Sequence, residues 1–217
     1  LRPDAVLHQH TLQDFPELTI DWITASGRDT NDKMLVFTTG EHGGEGYVGS
    51  AMLELFLRKF LPRLDPATTG LTLVHAINPW GMKHHRRTNP QNVDLNRNFV
   101  LDESLLDPAF NLLYAKIAKF VGPEGMATYQ FYRRFEFLVG YLLQILRFGR
   151  VPFWAGKVLG QYAHPQGIHY GGRALQEEVR VLQQIYRHAL GSGRKVLHLD
   201  MHTGYGPRYQ MTIVNSP

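Results

Sequence analysis

Hydrophobic positions cluster first over residues 18–25 and 34–39, two short β-rich runs separated by a turn region at 26–32. Met34-Leu35-Val36-Phe37 is apolar without a break, as expected of a strand covered on both faces. It runs into Gly40-Glu41-His42-Gly43-Gly44-Glu45-Gly46. Beyond that loop Met52, Leu53, Phe56, Leu57 and Phe60 recur at helical spacing over 50–60, until Pro62 ends the helix. Residues 70–77 predict a second buried strand, closed by Asn78-Pro79-Trp80-Gly81. Strand, loop, helix and strand in this order predict an α/β fold with right-handed crossovers.

From residue 108 to about 188 the period becomes helical, over 110–120, 127–148 and 175–190. Between the last two lies an irregular segment bounded by Gly160-Gln161-Tyr162 and Tyr170-Gly171-Gly172. Residues 195–201 return to a strand pattern, and 211–214 read as one more strand. The aromatic stripe Tyr129, Phe131, Tyr132, Phe135, Phe137 and Tyr141 reads as helix packing, with a partner surface as the alternative. The expectation is one α/β domain over 1–217. It has a mixed, mostly parallel sheet flanked by helices and a helical insertion over about 102–194. A start without Met and a strand of an unfinished sheet at the end suggest a piece of a longer product, incomplete at its C-terminus.

Composition narrows the classes. Of 217 residues, 43% are hydrophobic and 19% charged, a globular balance. The absence of cysteine excludes disulfides, thiolate metal sites and a cysteine nucleophile. The formal charge of +4 comes from scattered Lys and Arg, apart from Lys83-His84-His85-Arg86-Arg87, so no nucleic-acid partner is expected. The most apolar stretch, 135–148, is interrupted by Glu136, Gln144 and Arg147 and is too short for a bilayer, so no membrane partner is expected. No signal peptide is visible at the start, which favours a cytoplasmic location.

Three constellations carry chemistry. His42 and Glu45 lie three apart in a glycine-rich loop directly after a strand, where an imidazole and a carboxylate can turn onto one cation. Asp200-Met201-His202-Thr203-Gly204 ends the last strand, so His202 can supply a third ligand and leave a position open. Asp200 stays open between a buried group behind a ligand and a loop cap. The segment 87–99, Arg87-Thr88-Asn89 through Asp94-Leu95-Asn96-Arg97-Asn98-Phe99, gathers guanidinium groups suited to carboxylates and oxyanions. It reads as neither a helix nor a clean strand.

Asp94-Leu95-Asn96-Arg97-Asn98-Phe99, together with His42-x-x-Glu45 and Asp200-x-His202, resembles the zinc carboxypeptidases. Arg87-Thr88-Asn89 is similar to the bacterial members that cleave murein peptides. With Gly160-Gln161-Tyr162, Tyr170-Gly171-Gly172 and His202-Thr203-Gly204, the set most resembles a bacterial carboxypeptidase-like branch labelled as a domain of unknown function. The likeness runs over about 33–207. It implies one zinc ion on His42, Glu45 and His202, with Asp94 holding the His42 ring. It also implies that Arg87 polarises the scissile carbonyl and that Asn96 and Arg97 grip the substrate's terminal carboxylate. The implied activity is hydrolysis of an amide or peptide bond next to a free carboxylate. The implied partner is a small peptide, murein peptide or N-acyl amino acid.

Two departures stand out. Gly44 replaces an arginine of the digestive members. The family's general-base glutamate lies several tens of residues beyond the third ligand, whereas the fifteen residues after His202 contain no acid. Glu177 and Glu178 read as solvated positions on an amphipathic helix. The alternative function is therefore a non-catalytic, zinc-containing module that binds peptide termini. His84 and His85 read as exposed loop residues or substrate contacts, and His164 and His169 as loop packing or part of the substrate mouth.

Overall fold

The structure, a computed structural model, describes residues 2–122, 131–204, 206–208 and 210–214. Its strands are β1 (Val6–Leu12), β2 (Phe15–Ala25), β3 (Lys33–Thr39), β4 (Thr69–His75) and β5 (Lys195–Met201). Its α-helices are α1 (Gly46–Leu55), α2 (Pro79–Lys83), α3 (Leu95–Asn98), α4 (Leu112–Val121), α5 (Phe131–Phe148), α6 (Arg150–Val158) and α7 (Glu177–Ser192). Two compact units result: Leu1–Pro90 with Glu177–Pro217, and Gln91–Gln176.

The first unit is a mixed sheet in the order β1-β2-β4-β3-β5 with flanking helices, so the α/β expectation holds. β3 pairs in parallel with β4 on one side and β5 on the other. β1–β2 and β2–β4 are antiparallel. From Met34 to Thr39 every β3 side chain is buried, which is why its apolar run carries no alternation. Leu35 and Phe37 join Ala25, Phe56, Leu61, Leu71 and Leu73 on one face, where the Phe37 and Phe56 rings stand 5.6 Å apart. Met34 and Val36 point the other way, onto Ala189 of α7. The period-two geometry of a strand divides one continuous apolar run between two cores.

Some elements differ from the pattern reading. β1 carries His8, Gln9, His10 and Thr11, so its pairing with β2 has no apolar stripe to announce it. His8 instead stacks on Trp22 with ring centroids 5.2 Å apart, and its Nε2 lies 2.8 Å from Thr24 Oγ1. The helix expected over 50–60 begins at Gly46 and ends as a π turn, Phe56–Phe60. Residues 211–214 form no strand. Met211 and Ile213 are exposed there, without a backbone ladder that could order the segment.

In the second unit α4, α5 and α6 pack through aromatic rings. Phe120 stacks on Phe137 at 5.3 Å, and Tyr141 meets Phe153 edge-on at 5.5 Å. The aromatic stripe is thus partly helix packing, while Phe135 stays exposed. Residues 127–130 of the expected helix, Tyr129 included, lie outside the described residues, as do the side chains of Phe131 and Tyr132. α6 was not foreseen, and α3 is a single helical turn inside the segment expected to lack one.

One close approach holds the loop after β3 in place. A Cβ on Gly43 would lie 2.0 Å from the backbone carbon of Gly81 at α2, whereas one on Gly44 would meet nothing within 4 Å. Overpacking of this kind costs about 1–3 kcal/mol. Gly43→Ala should therefore lower stability by about that amount in chemical denaturation, and Gly44→Ala by less than about 0.5 kcal/mol, the usual range for an open surface position. Equal effects of the two substitutions would refute the close-packing account.

Candidate metal centre

The parallel pairing of β3 with β5 places Thr38 opposite Asp200 and Thr39 opposite Met201, so both strands release their loops at the same end of the sheet. After β3 the chain turns through Gly40, at φ +71°, into a 3-10 turn, Gly43–Glu45. That turn is closed by Glu45 N–H donating to the His42 carbonyl at 2.9 Å. It brings Glu45 Oε1 to 3.3 Å from His42 Nδ1. His202, first residue after β5, puts its Nδ1 3.0 Å from Glu45 Oε2, and the two imidazole centroids are 4.9 Å apart. The three side chains named from the sequence as zinc ligands therefore meet around the Glu45 carboxylate.

Two further acids stand on the other edge of the His202 ring. Its Nε2 lies 2.7 Å from Asp200 Oδ2 and 3.3 Å from Glu41 Oε2. Hydrogen bonds to Asp200, then Glu41, then Glu45 raise the His202 pKa to about 12. Burial works against the Glu45 carboxylate, but hydrogen bonds to His202 and His42 overcome it and hold its pKa at about 2. Asp200 behaves alike: burial opposes its charge, and His202 and Thr38 more than offset it. Glu41 is the exception, since burial dominates and pushes its carboxyl up. The cluster thus gathers three carboxyl groups around one protonated imidazole, whose proton a divalent cation could replace.

Two imidazoles with carboxylate oxygens in reach are a donor set that fits zinc. One donor atom each from Glu41, His42 and His202 can lie within 4.8 Å of one another, as a single cation requires. Glu45, by contrast, touches both rings directly. The geometry therefore offers two carboxylates for one ligand position. Glu41 was not singled out from the sequence, although it sits in the same glycine-rich motif.

The remaining named residues fall in both units. Arg87 is exposed in the first unit, on a loop whose backbone is tied back by Asn78 Nδ2 donating to the Arg87 carbonyl at 3.4 Å. Asp94, Asn96 and Arg97 belong to the second unit. Asp94 is fully buried, with Oδ2 3.1 Å from His169 Nδ1. Arg97 is half-buried and donates to the Val158 carbonyl at 2.9 Å and to Asn96 Oδ1 at 3.0 Å. Tyr162 OH donates to the Arg97 carbonyl at 2.9 Å, and Asn98 Nδ2 donates to Gly171 O at 2.7 Å. The Gly-Gln-Tyr and Tyr-Gly-Gly motifs thus hold the turn that carries Asp94, Asn96 and Arg97. His164 packs on Tyr114, His84 on Trp80 and His85 on Tyr47.

Of the two glutamates at the start of α7, Glu177 stays partly exposed, whereas Glu178 is not solvated as the pattern suggested. Glu177 binds His10 Nε2 at 2.8 Å and the Gln13 N–H at 3.0 Å. Glu178 is buried, 4% exposed, where it accepts a hydrogen bond from Asn89 of the Arg87 loop. The amphipathic pattern could not show this, because the loop that covers Glu178 comes from about 90 residues earlier.

Burial pushes the Glu178 carboxyl above its ordinary 4.5. The folded state then favours the protonated form. That contribution to stability is complete below about pH 4.5 and is lost as pH rises through the folded pKa. Glu178→Gln keeps the acceptor for Asn89 and removes the ionisation. Its melting temperature relative to the parent protein should therefore be higher at pH 8 than at pH 5. A difference that falls or stays constant would contradict the buried-carboxyl assignment.

No curated protein matches the sequence. Among solved structures, carboxypeptidase A from Helicoverpa armigera is similar over 94% of this chain and 42% of its own, with 13% identity and a TM-score of 0.51. A provisionally assigned succinylglutamate desuccinylase/aspartoacylase family protein from Shewanella amazonensis SB2B is similar over 93% of this chain and 47% of its own, at 16% identity and a TM-score of 0.45. A succinylglutamate desuccinylase from Silicibacter sp. TM1040 covers 43% and 30%, at 20% identity and a TM-score of 0.31. The chain spans less than half the length of each of these structures. The carboxypeptidase A likeness shows the fold, a carboxypeptidase-like α/β sheet. The family model described as "Protein of unknown function (DUF2817)" matches residues 3–217, and the chain belongs to that family.

Proposed function

We propose that this chain forms the metal-binding part of a zinc-dependent hydrolase acting on amide or peptide bonds next to a free carboxylate. The observation that carries the reading is the meeting of His42, Glu45 and His202 at the shared end of β3 and β5. His42, Glu45 and His202 would hold one zinc ion. When bound, such an ion acts as a Lewis acid on a substrate carbonyl and activates water.

The protein's own groups supply the rest. Arg87, a permanent cation on an anchored loop, would donate to the oxygen that gains negative charge as the carbonyl is attacked. The motif resemblance assigns Asn96 and Arg97 to the substrate's terminal carboxylate, for which a planar guanidinium is well suited. It assigns Asp94 to the second N–H of the His42 ring, a partner that fixes which nitrogen is left for the metal. Small peptides, murein peptides and N-acyl amino acids all present the required amide and carboxylate.

Metal analysis of the purified protein should find one zinc per chain, and His42→Ala with His202→Ala should abolish it. The full-length gene product should hydrolyse carboxylate-bearing amides, lose activity to a chelator and regain it with zinc. Arg87→Ala should lower kcat by about 100- to 1000-fold, the usual effect of removing one donor to a developing oxyanion, with zinc content unchanged. Zinc retained by the double variant would refute the metal site. Stoichiometric zinc without turnover in the full-length protein would leave the non-catalytic module that binds peptide termini.

A further inference from the structure

The acids on the far edge of the His202 ring, and the side chains behind them, have no part in the proposed function. Asp200 uses both of its oxygens. Oδ2 is 2.7 Å from His202 Nε2, and Oδ1 accepts from Thr38 Oγ1 at 2.7 Å. Thr38 and Asp200 are register partners on the parallel strands β3 and β5, so the contact is built into the sheet. A threonine hydroxyl has one proton, and here it is committed to the carboxylate. The Thr38 oxygen then accepts from His198 Nε2, 2.9 Å away, and Tyr186 OH of α7 stands 3.0 Å from the same nitrogen. Thr38 is fully buried, and Tyr186 packs with Met34 and Val36 against the sheet. The carboxylate is therefore held from behind by Thr38, whose burial restricts it, while His198 beyond it is exposed.

From this geometry we infer that Asp200 is a positioning residue for the metal site, locked by Thr38, which commits His202 to binding metal through Nδ1. This rests on the metal reading proposed above and deepens it. With Nε2–H donating to Asp200, a cation that replaces the Nδ1 proton facing Glu45 Oε2 would find the lone pair of His202 on Nδ1. His42 also turns Nδ1 toward Glu45. The metal position is then on the Glu45 side of both rings. Glu41, 3.3 Å from Nε2, is left on the N–H edge of His202 as a second acceptor. The choice between Glu41 and Glu45, which proximity alone leaves open, is decided by the tautomer that Asp200 imposes. Orienting partners of this kind are general features of metal-bound histidines, and their removal typically weakens metal binding about 10- to 100-fold.

The test is competitive zinc titration against a chromophoric chelator, with thermal unfolding of each metal-free variant to confirm folding. Asp200→Ala should weaken zinc binding by about 10- to 100-fold. Thr38→Val should weaken it in the same direction, and Thr38→Ser, which restores the hydroxyl, should return it to within about threefold of the parent protein. Glu45→Gln should remove an anionic ligand and lose more affinity than Glu41→Gln, whose amide oxygen can still accept from Nε2–H. Long-range proton–nitrogen spectra of the zinc-loaded protein should show His202 carrying its proton on Nε2. A parent protein that binds no zinc overturns the metal reading and this inference together. Zinc affinity in Asp200→Ala within twofold of the parent overturns the inference alone. So does a larger loss in Glu41→Gln than in Glu45→Gln, or a His202 proton on Nδ1 with zinc bound.

Discussion

Everything proposed for this chain depends on the parallel register between β3 and β5. Parallel strands point their carboxyl ends the same way, and the loops that leave them share one edge of the sheet. His42 and His202 are 160 residues apart in the chain, yet each follows its strand by only a few residues. A one-residue slip would move Asp200 off Thr38 and turn every β5 side chain to the other face. Packing of β5 on both faces opposes such a slip, because Val196 lies against the core of Met34 and Val36 and Met201 against the core of Leu35 and Phe37.

The charge of the site follows from this placement. Glu41, Glu45 and Asp200 converge on one imidazole, which responds by holding its proton up to about pH 12. Such crowding of carboxylates is unfavourable unless a cation shares the space. A proton can satisfy one edge of the ring, but a divalent ion satisfies two imidazoles and a carboxylate at once. The crowding of carboxyl groups and the fit of the donor set therefore point the same way.

Of the fold, the buried parallel strands and the longer helices were legible, because a continuous apolar run and a 3.6-residue period are local signals. β1 was not, since its stability comes from pairing with β2 and from the stacking of His8 on Trp22. α3 was not, because a single turn leaves too little periodicity to detect. The expected strand at 211–214 shows the reverse error. Its residues suit a strand, but a strand is defined by a hydrogen-bonding neighbour, which propensity cannot supply.

The site divides in the same manner. Residue type and spacing alone determined that His42, Glu45 and His202 are candidates for one cation, that the guanidinium groups of Arg87 and Arg97 suit anionic groups, and that no thiol chemistry is available. Only the tertiary structure decided that Glu41 and Asp200 join them, that Thr38 stands behind Asp200, and that Glu178 is buried under the Arg87 loop. The reason is that a ligand's chemistry is a property of its side chain and can be read anywhere. Its partner nitrogen, its burial and its competitors are set by residues brought in from distant parts of the chain.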